Sequence, residues 1–479
     1  MRMKNSPEKK LKADSVEAPD SPAEHGDAEK NRCEVGELPI SPKLDRWIRQ
    51  QGRDLRLRQV DRQLAVKVVN DLVKELQKFM KDNTDQPFFR DISQLNTGSY
   101  YELVKITKPN EFDIMLKLKI PRIKWTELEE HKGLFYTIAL FRPTRSEIRH
   151  FLLEDELTIS ASKLMKEIHQ LIKKFVSTYQ VSAGEGRWMV CRKKINSPAV
   201  TLAFMDKDKK TEILSVDIVP ALEVPQGWPE AARAGPPVDK WLGKNARRRF
   251  VSQPVYFVPK RPKARNLKDA EKESWRISFS HIEKEIIRFH GNKKTCCESK
   301  ENECCRKLCL RLLKCLFEGL KKTYPKELEP LCSYHGKTAF FHTLSARCED
   351  TLWTPGQLSD CFIKLLGEFE KAVRLGSLPH FFVPKYNLFS RTAFPARSLQ
   401  FLANALQNQR ENGLPLLQVQ RSAPALCYTP APPELEISTD ALAAQQHKSV
   451  TDQTNSCTKT YLTLTCIFVF LAIGCVLYA

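Results

Sequence analysis

The chain has 479 residues, with 77 Lys and Arg against 57 Asp and Glu, and 15 cysteines. That length holds one large or two moderate domains. An odd cysteine count behind a polar start, Met1-Arg2-Met3-Lys4, argues against a signal peptide and a secreted disulfide scaffold.

Residues 1–41 are rich in Pro, Glu, Lys, Asp and Ala, carry few large apolar side chains, and are expected to form a disordered tail. The net charge of +20 sits in the body: residues 41–419 hold 67 Lys and Arg against 44 Asp and Glu. Such a basic body suggests a polyanionic partner, nucleic acid first and an anionic membrane second. From Pro42 to Met80 the pattern predicts one long spine helix. Leu64, Val68, Leu72, Leu76 and Phe79 recur at three- and four-residue spacing. Arg46, Arg49, Arg53, Arg56, Arg58 and Arg62 decorate its first half.

A turn with chemical potential follows. In Thr97-Gly98-Ser99, glycine lets the backbone approach a phosphate and serine can donate to it. Glu111-Phe112-Asp113 then begins a strand, whose period of two puts both carboxylates on one face and Phe112 and Ile114 on the other. Alone, such a pair is usually just solvent-facing. Asp217, however, lies in the apolar run Ile213-Leu214-Ser215-Val216-Asp217-Ile218, where an unpaired charge is expensive. Three carboxylates converging beside a phosphate-binding turn make a site for Mg²⁺, or Mn²⁺, and for in-line phosphoryl or nucleotidyl transfer.

Short β-rich runs at 111–120, 136–141, 188–193, 199–204 and 213–219, with a helix around 157–179, predict a sheet-bearing lobe over 42–235. The Pro-, Gly- and Ala-rich stretch 225–237 reads as a loop. Residues 274–290, 305–322 and 355–375 read as amphipathic helices of a second lobe over 236–418. On the first of them Arg276, Ser280 and Glu283 would form one polar stripe. The fold class is α+β and bilobal, a mixed-sheet lobe with a long spine helix beside a helical lobe.

His290 closes the first of these helices, with Gly291 as its C-cap. Cys296, Cys297, Cys304, Cys305 and Cys309 follow among Lys, Glu, Ser and Asn. One His and three of these thiols satisfy a tetrahedral metal such as Zn²⁺, and spacing does not choose among the five. Basic runs lie at 42–67, 239–265 (with Arg247-Arg248-Arg249 and Lys260-Arg261) and 284–314. Three such runs in one body suit a duplex backbone read without sequence preference. Residues 419–460 read as a flexible linker. The uncharged stretch 461–478 would span about 27 Å as a helix, which makes it a candidate membrane anchor tethering the body on the cytosolic side.

Five segments carry a resemblance: Leu95 to Tyr101, Pro109 to Asp113, Ser215 to Ile218, Trp275 to Glu285, and Ser333 to His342. Over about residues 50–415 they resemble the cyclic GMP-AMP synthase family of vertebrate cytosolic DNA sensors. The resemblance implies a nucleotidyltransferase fold with a zinc-binding insertion at 290–305, and Glu111, Asp113 and Asp217 as metal-holding catalytic acids. It implies nucleotide contacts at Thr97, Gly98, Ser99, Arg276, Ser278, Glu283, Lys314, Ser333 and Tyr334, the last stacking on a base. It assigns the structural Zn²⁺ to His290, Cys296, Cys297 and Cys304. Double-stranded DNA would be gripped by Arg53, Arg56, Arg58 and Arg62 and by Lys284, Arg288, Lys293, Lys294, Lys300, Arg306 and Lys307, with two chains pairing on it. The implied activity makes cyclic GMP-AMP, 2′-5′ and 3′-5′ linked, from ATP and GTP. The implied setting is cytoplasmic and nuclear, with the product read by a downstream cyclic-dinucleotide receptor in innate immunity. Arg311 stands where the family pattern has Lys, and the hydrophobic tail is foreign to that pattern. Alternatives are an RNA-activated 2′-5′ oligoadenylate-type or terminal nucleotidyltransferase, or a catalytically silent zinc-bearing DNA-binding scaffold. The zinc insertion argues against the first and the intact acidic trio against the last.

Overall fold

The computed structural model describes residues 40–419 apart from 56–58, 107–109, 182–185, 194–196, 207, 209–210, 264–265, 294 and 300. The expected linker and the candidate anchor at 461–478 lie outside the described residues, as does nearly all of the expected tail. Among the described residues, no helix is long and apolar enough to cross a membrane.

The strands are β1 (Ser93–Thr97), β2 (Glu111–Lys119), β3 (Ile123–Glu127), β4 (Phe135–Leu140), β5 (Gly186–Val190), β6 (Val200–Asp206), β7 (Glu212–Val224), β8 (Val255–Val258) and β9 (Trp275–Ser278). Among the described residues they form one mixed sheet in the order β1-β2-β7-β8-β9-β4-β3, with β6 also on β7 and β5 on β6. The pairing of β2 with β7 is parallel and the others are antiparallel. The helices are α1 (Pro42–Asp54), α2 (Gln59–Lys81), α3 (Gly98–Tyr101), α4 (Ala161–Thr178), α5 (Lys244–Val251), α6 (Asp269–Lys272), α7 (Ser280–Arg288), α8 (Arg306–Thr323), α9 (Ser333–Ala346), α10 (Leu358–Arg374) and α11 (Ala396–Glu411). Helices α8 to α11 pack on one another as the helical lobe. The expected α+β class therefore holds.

Three expectations need correction. Among the described residues the spine is two helical spans, α1 ending at Asp54 and α2 beginning at Gln59. Gly52 and Asp54 are weak helix formers near that break. Helix α1 starts at a Ser41 cap, whose Oγ accepts the Leu44 N–H at 3.2 Å, and packs on α8 and α10. Helix α2 buries Ala65, Val69, Leu72, Val73, Leu76 and Met80. A boundary at 235 does not separate the layers either, because β8 and β9 lie beyond it and join the sheet. Both are four residues long, too short to show a period. Finally, Trp275-Arg276-Ile277-Ser278 is strand β9, not the first turn of a helix. Its backbone pairs with β8 and β4 instead.

Gly319 marks the closest approach of α8 to the final described segment: a Cβ there would lie 2.3 Å from the Leu416 carbonyl oxygen. Alanine is the better helix former by about 1 kcal/mol. A clash with backbone costs about 1–3 kcal/mol and wins. Gly319→Ala should lower stability in urea melts, and an unchanged or raised midpoint would contradict this packing.

Candidate active site

Parallel pairing of β2 with β7 sets Asp113 opposite Asp217 and Glu111 opposite Ser215. Antiparallel pairing of β1 with β2 sets Thr97 opposite Asp113, so the Thr97-Gly98-Ser99 turn leaves β1 beside the acids. Gly98 has φ +77°, and a Cβ on it would lie 1.8 Å from Asp113 Oδ2. Both the backbone conformation and the carboxylate require glycine there. Thr201 on β6 donates its hydroxyl to Asp217 Oδ1 at 2.5 Å, and Lys105 Nζ reaches Glu111 Oε2 at 2.5 Å. Burial, then the charge of Asp217, push the Asp113 carboxyl up to about 6. Crowded, partly desolvated carboxylates of this kind are a place that a hard divalent cation would relieve, and the residues fit one.

These acids line a cleft of about 950 Å³. The same cleft is lined by Thr97, Gly98, Ser99, Arg276, Ser278, Glu283, Lys314, Ser333 and Tyr334, so every predicted nucleotide residue is brought together. They come from different elements: Arg276 and Ser278 from β9, Glu283 from α7, Lys314 from α8, and Ser333 and Tyr334 from the first turn of α9. The expected helical stripe of Arg276, Ser280 and Glu283 is thus a strand followed by a helix. Lys260 and Arg261, expected on a duplex-facing run, also line the cleft.

Behind the cleft runs a buried polar chain that the sequence reading missed. Lys337 Nζ bridges Glu102 Oε1 at 2.7 Å and Glu283 Oε2 at 3.0 Å. Tyr334 donates its hydroxyl to Glu283 Oε1 at 3.1 Å and lies 2.8 Å from His380 Nε2. His380 Nδ1 accepts the Phe382 and Val383 N–H groups, so Nε2 carries the ring proton and donates to Tyr334. Burial opposes the Lys337 ammonium, yet the two carboxylates raise its pKa above the ordinary lysine value. Burial also pushes Lys314 down to about 8, and its ammonium donates to the Val104 carbonyl at 3.0 Å. Lys337 stands three residues after Tyr334 and four after Ser333, the spacing that shares a helix face, and that signal could have found it.

His290, Cys296, Cys297 and Cys304 also converge, with ligand atoms within 4.8 Å of one another. Cys297 Sγ is 3.7 Å from Cys304 Sγ and 3.9 Å from Cys296 Sγ, and His290 Nε2 is 3.1 Å from Cys304 Sγ. Tetrahedral metal–sulfur bonds of about 2.3 Å put ligand atoms about 3.7 Å apart, so the set fits such an ion. His290 Nδ1 donates to the Ile287 carbonyl at 2.7 Å, which turns Nε2 toward the thiols. Cys305 and Cys309 are buried in the core instead. Helix α7 ends at Arg288, before His290. Gly291 is not a left-handed cap; a Cβ on it would sit 2.1 Å from the Cys296 Cβ, so it makes room for that ligand.

Among the predicted duplex contacts, Arg53, Arg288 and Lys293 are exposed, and Lys284 and Lys307 are half-buried. Lys284 Nζ donates to the Asn96 carbonyl at 2.7 Å. Arg306 is a correction: it is 0% exposed, pairs with Asp350 at 2.8 Å and lies over the Trp353 ring. It braces the metal knuckle and is closed to a phosphate. Arg56, Arg58, Lys294 and Lys300, and the side chain of Arg62, lie outside what the structure describes. A second hollow of about 460 Å³ is lined by Arg49, Arg53, Lys105, Lys307 and Arg311, and by Cys297 and Cys304.

The family described as Mab-21 protein nucleotidyltransferase domain matches residues 100–288, and Mab-21 protein HhH/H2TH-like domain matches 305–408. The chain is 42% identical to the cyclic GMP-AMP synthase of Mus musculus over 366 residues, covering 76% of this chain and 68% of that one. The chain belongs to the cyclic GMP-AMP synthase family. It is 39% identical to the Sus scrofa synthase over 74% of this chain and 68% of that one. It is 26% identical to a cyclic GMP-AMP synthase-like receptor of Magallana gigas, over 77% of this chain and 58% of that one. It is a nucleotidyltransferase, and the acids and the turn lie in or just before the first matched domain.

Two outcomes follow from this geometry. Gly98→Ala should cut nucleotidyl transfer by more than about 100-fold, since displacement of a reacting group by an ångström costs that much; a near-normal rate would contradict the Gly98–Asp113 contact. The folded-state pKa of Asp113 lies above its unfolded value, so its ionisation destabilises the folded protein as pH rises through about 6. In Mg²⁺-free buffer at neutral pH, Asp113→Asn should therefore gain about 1–3 kcal/mol over wild type. Urea melts across the acid range should show that gain shrinking toward pH 4.

Proposed function

We propose that this chain is a double-stranded-DNA-activated synthase of cyclic GMP-AMP, working on ATP and GTP. The observation that carries the reading is the convergence of Glu111, Asp113 and Asp217 on the Gly98 turn in one cleft. At about 950 Å³ the cleft is near the top of the roughly 300–1,000 Å³ usual for ligand sites, which suits two nucleotides. The likeness to the cyclic GMP-AMP synthases of Mus musculus and Sus scrofa supports that product.

Two Mg²⁺ ions, or Mn²⁺, held by the three acids would activate an attacking ribose hydroxyl and stabilise the leaving pyrophosphate. The other steps fall to the chain itself. Asp217 acts on the ribose hydroxyl. Lys314 and Ser333 hold phosphates, Tyr334 stacks on a base, and Arg276 pairs with a purine edge while Ser278 and Glu283 border the same nucleotide. A linear dinucleotide forms, turns over in the cleft and is closed with loss of a second pyrophosphate. Family resemblance assigns one 2′-5′ and one 3′-5′ linkage.

Duplex DNA lies along Arg53, Arg288, Lys293 and Lys307, bound through its backbone, with two chains on two duplexes. Zn²⁺ in the His290 knuckle stiffens that surface. Lys105 supports a coupling, because it lines both the basic hollow and the cleft and pairs with Glu111. A polyanion in the hollow draws Lys105 from Glu111 and frees that carboxylate for metal. The setting is cytoplasmic and nuclear, with 461–478 as a tether to a membrane and a cyclic-dinucleotide receptor downstream.

Purified chain with ATP, GTP and Mg²⁺ should make cyclic GMP-AMP only when duplex DNA is added. Equal product without DNA would sink activation, and linear 2′-5′ oligomers from ATP alone would favour the oligoadenylate-type reading. Asp217→Asn should abolish synthesis and leave DNA affinity within about twofold, because a cleft carboxylate makes no duplex contact.

A further inference from the structure

Cys332 stands in an arrangement that nucleotidyl transfer does not use. It is the N-cap of α9, a helix of 14 residues, and its carbonyl oxygen accepts the backbone N–H of His335 at 3.1 Å. His335 returns the bond: its Nδ1 accepts the Cys332 N–H at 3.1 Å and lies 3.5 Å from Cys332 Sγ. An Nδ1 that accepts a backbone N–H carries no proton of its own, so the thiol proton can move onto it as the Cys332 N–H bond gives way. The imidazole is held in place by stacking on Phe389 with ring centroids 5.3 Å apart, and by the edge contact with Phe394. Among the described cysteines outside the metal set, Cys332 is the exposed one, and it lines the large cleft between Leu331 and Ser333. Lys260, from the segment after β8, adds a positive charge that interacts with it. Base, helix N-terminus and cation together favour a thiolate.

We propose that Cys332 is a covalent modification site, a nucleophilic thiolate that forms a mixed disulfide with an anionic low-molecular-weight disulfide and thereby closes the cleft to nucleotide. His335 Nδ1 takes the thiol proton. The thiolate sulfur attacks one sulfur of the reagent, the new S–S bond forms as the reagent's own S–S bond breaks, and the other half leaves as a thiolate. The reagent disulfide is the oxidant, so electrons balance. A second thiol reverses the step. Lys260, Arg261, Lys263 and Arg276 line the same cleft and suit a reagent bearing carboxylates. The inhibitory consequence rests on the nucleotide reading of the cleft, while the reactivity of the thiol does not.

Magnitudes say where to look. Cys332 is pulled down to about 6: desolvation of the sulfur by the cleft wall opposes this, but the His335 imidazole outweighs it. At pH 6 about half of it is thiolate, against about 0.3% for an ordinary cysteine. Low-pKa thiolates are intrinsically weaker nucleophiles, which takes back about an order of magnitude and leaves a roughly ten-fold advantage. Near pH 7 the same arithmetic leaves only about two-fold.

The test uses the zinc-loaded full chain and oxidised glutathione, with mixed disulfides mapped by peptide mass. At pH 6, without substrates, Cys332 should react about ten times faster than the cysteine of an unstructured reference peptide. Its rate should rise with a midpoint near pH 6, and His335→Asn, which keeps a cap acceptor, should move that midpoint toward the ordinary thiol value. Synthesis should fall in step with modification of Cys332, recover with dithiothreitol, and be slow to fall when ATP is present. Cys332→Ser should keep its basal synthesis and lose its sensitivity. Reaction no faster than the peptide, or a loss of synthesis that persists in Cys332→Ser, would overturn the proposal.

Discussion

The pairing of two half-buried aspartates across one strand pair organises this molecule. Asp113 and Asp217 face each other across the parallel β2–β7 pair, and neither strand can slip by one residue without turning its carboxylate into the apolar core. Phe112, Ile114, Val216 and Ile218 on the opposite face hold that register. Desolvation first, and the Asp217 charge second, raise the Asp113 carboxyl above the ordinary carboxylate range. Gly98 then packs its bare Cα against the same carboxylate. Hydrophobic burial on one face of the sheet thus keeps an electrostatically unfavourable cluster in place on the other.

Positive charge is arranged around that cluster in graded fashion. Lys337 is neutralised between Glu102 and Glu283 and serves as scaffold. Lys105 is shared between the cleft and the basic hollow. Arg306 has been taken out of solvent altogether, where Asp350 and Trp353 hold it beneath the metal knuckle. A basic residue in this body therefore cannot be assigned to a polyanion from sign alone. Burial decides which cations are structural and which are free to bind.

The sequence made the acids legible because their pattern is local: a two-residue spacing on a strand, and a charge inside an apolar run. The His290 set was visible as composition, although the choice among five cysteines needed the family. What could not be read depends on distant partners. Arg306 is buried by Asp350 and Trp353, more than forty positions on, so its neighbours Lys300 and Lys307 made it look like one more surface cation. Lys337 is defined by Glu102, over two hundred positions away. Strand β9 was mistaken for helix because four residues in front of a true helix extend its apparent period. Lobe boundaries failed for the same reason, since β8 and β9 return to a sheet begun much earlier.

The parallel β2–β7 pair has a temporal consequence. Its two strands are separated by a long excursion through β3 to β6, and the cleft is finished only by Lys314, Ser333, Tyr334 and His380 from still later in the chain. During synthesis on the ribosome, the acids emerge first and stay dispersed, because non-local strand pairing is slow and follows loop closure. A truncated or half-made chain therefore lacks a working cleft. A nucleotidyltransferase built this way is silent until the chain through His380 has folded back onto the early strands, a safeguard supplied by topology alone.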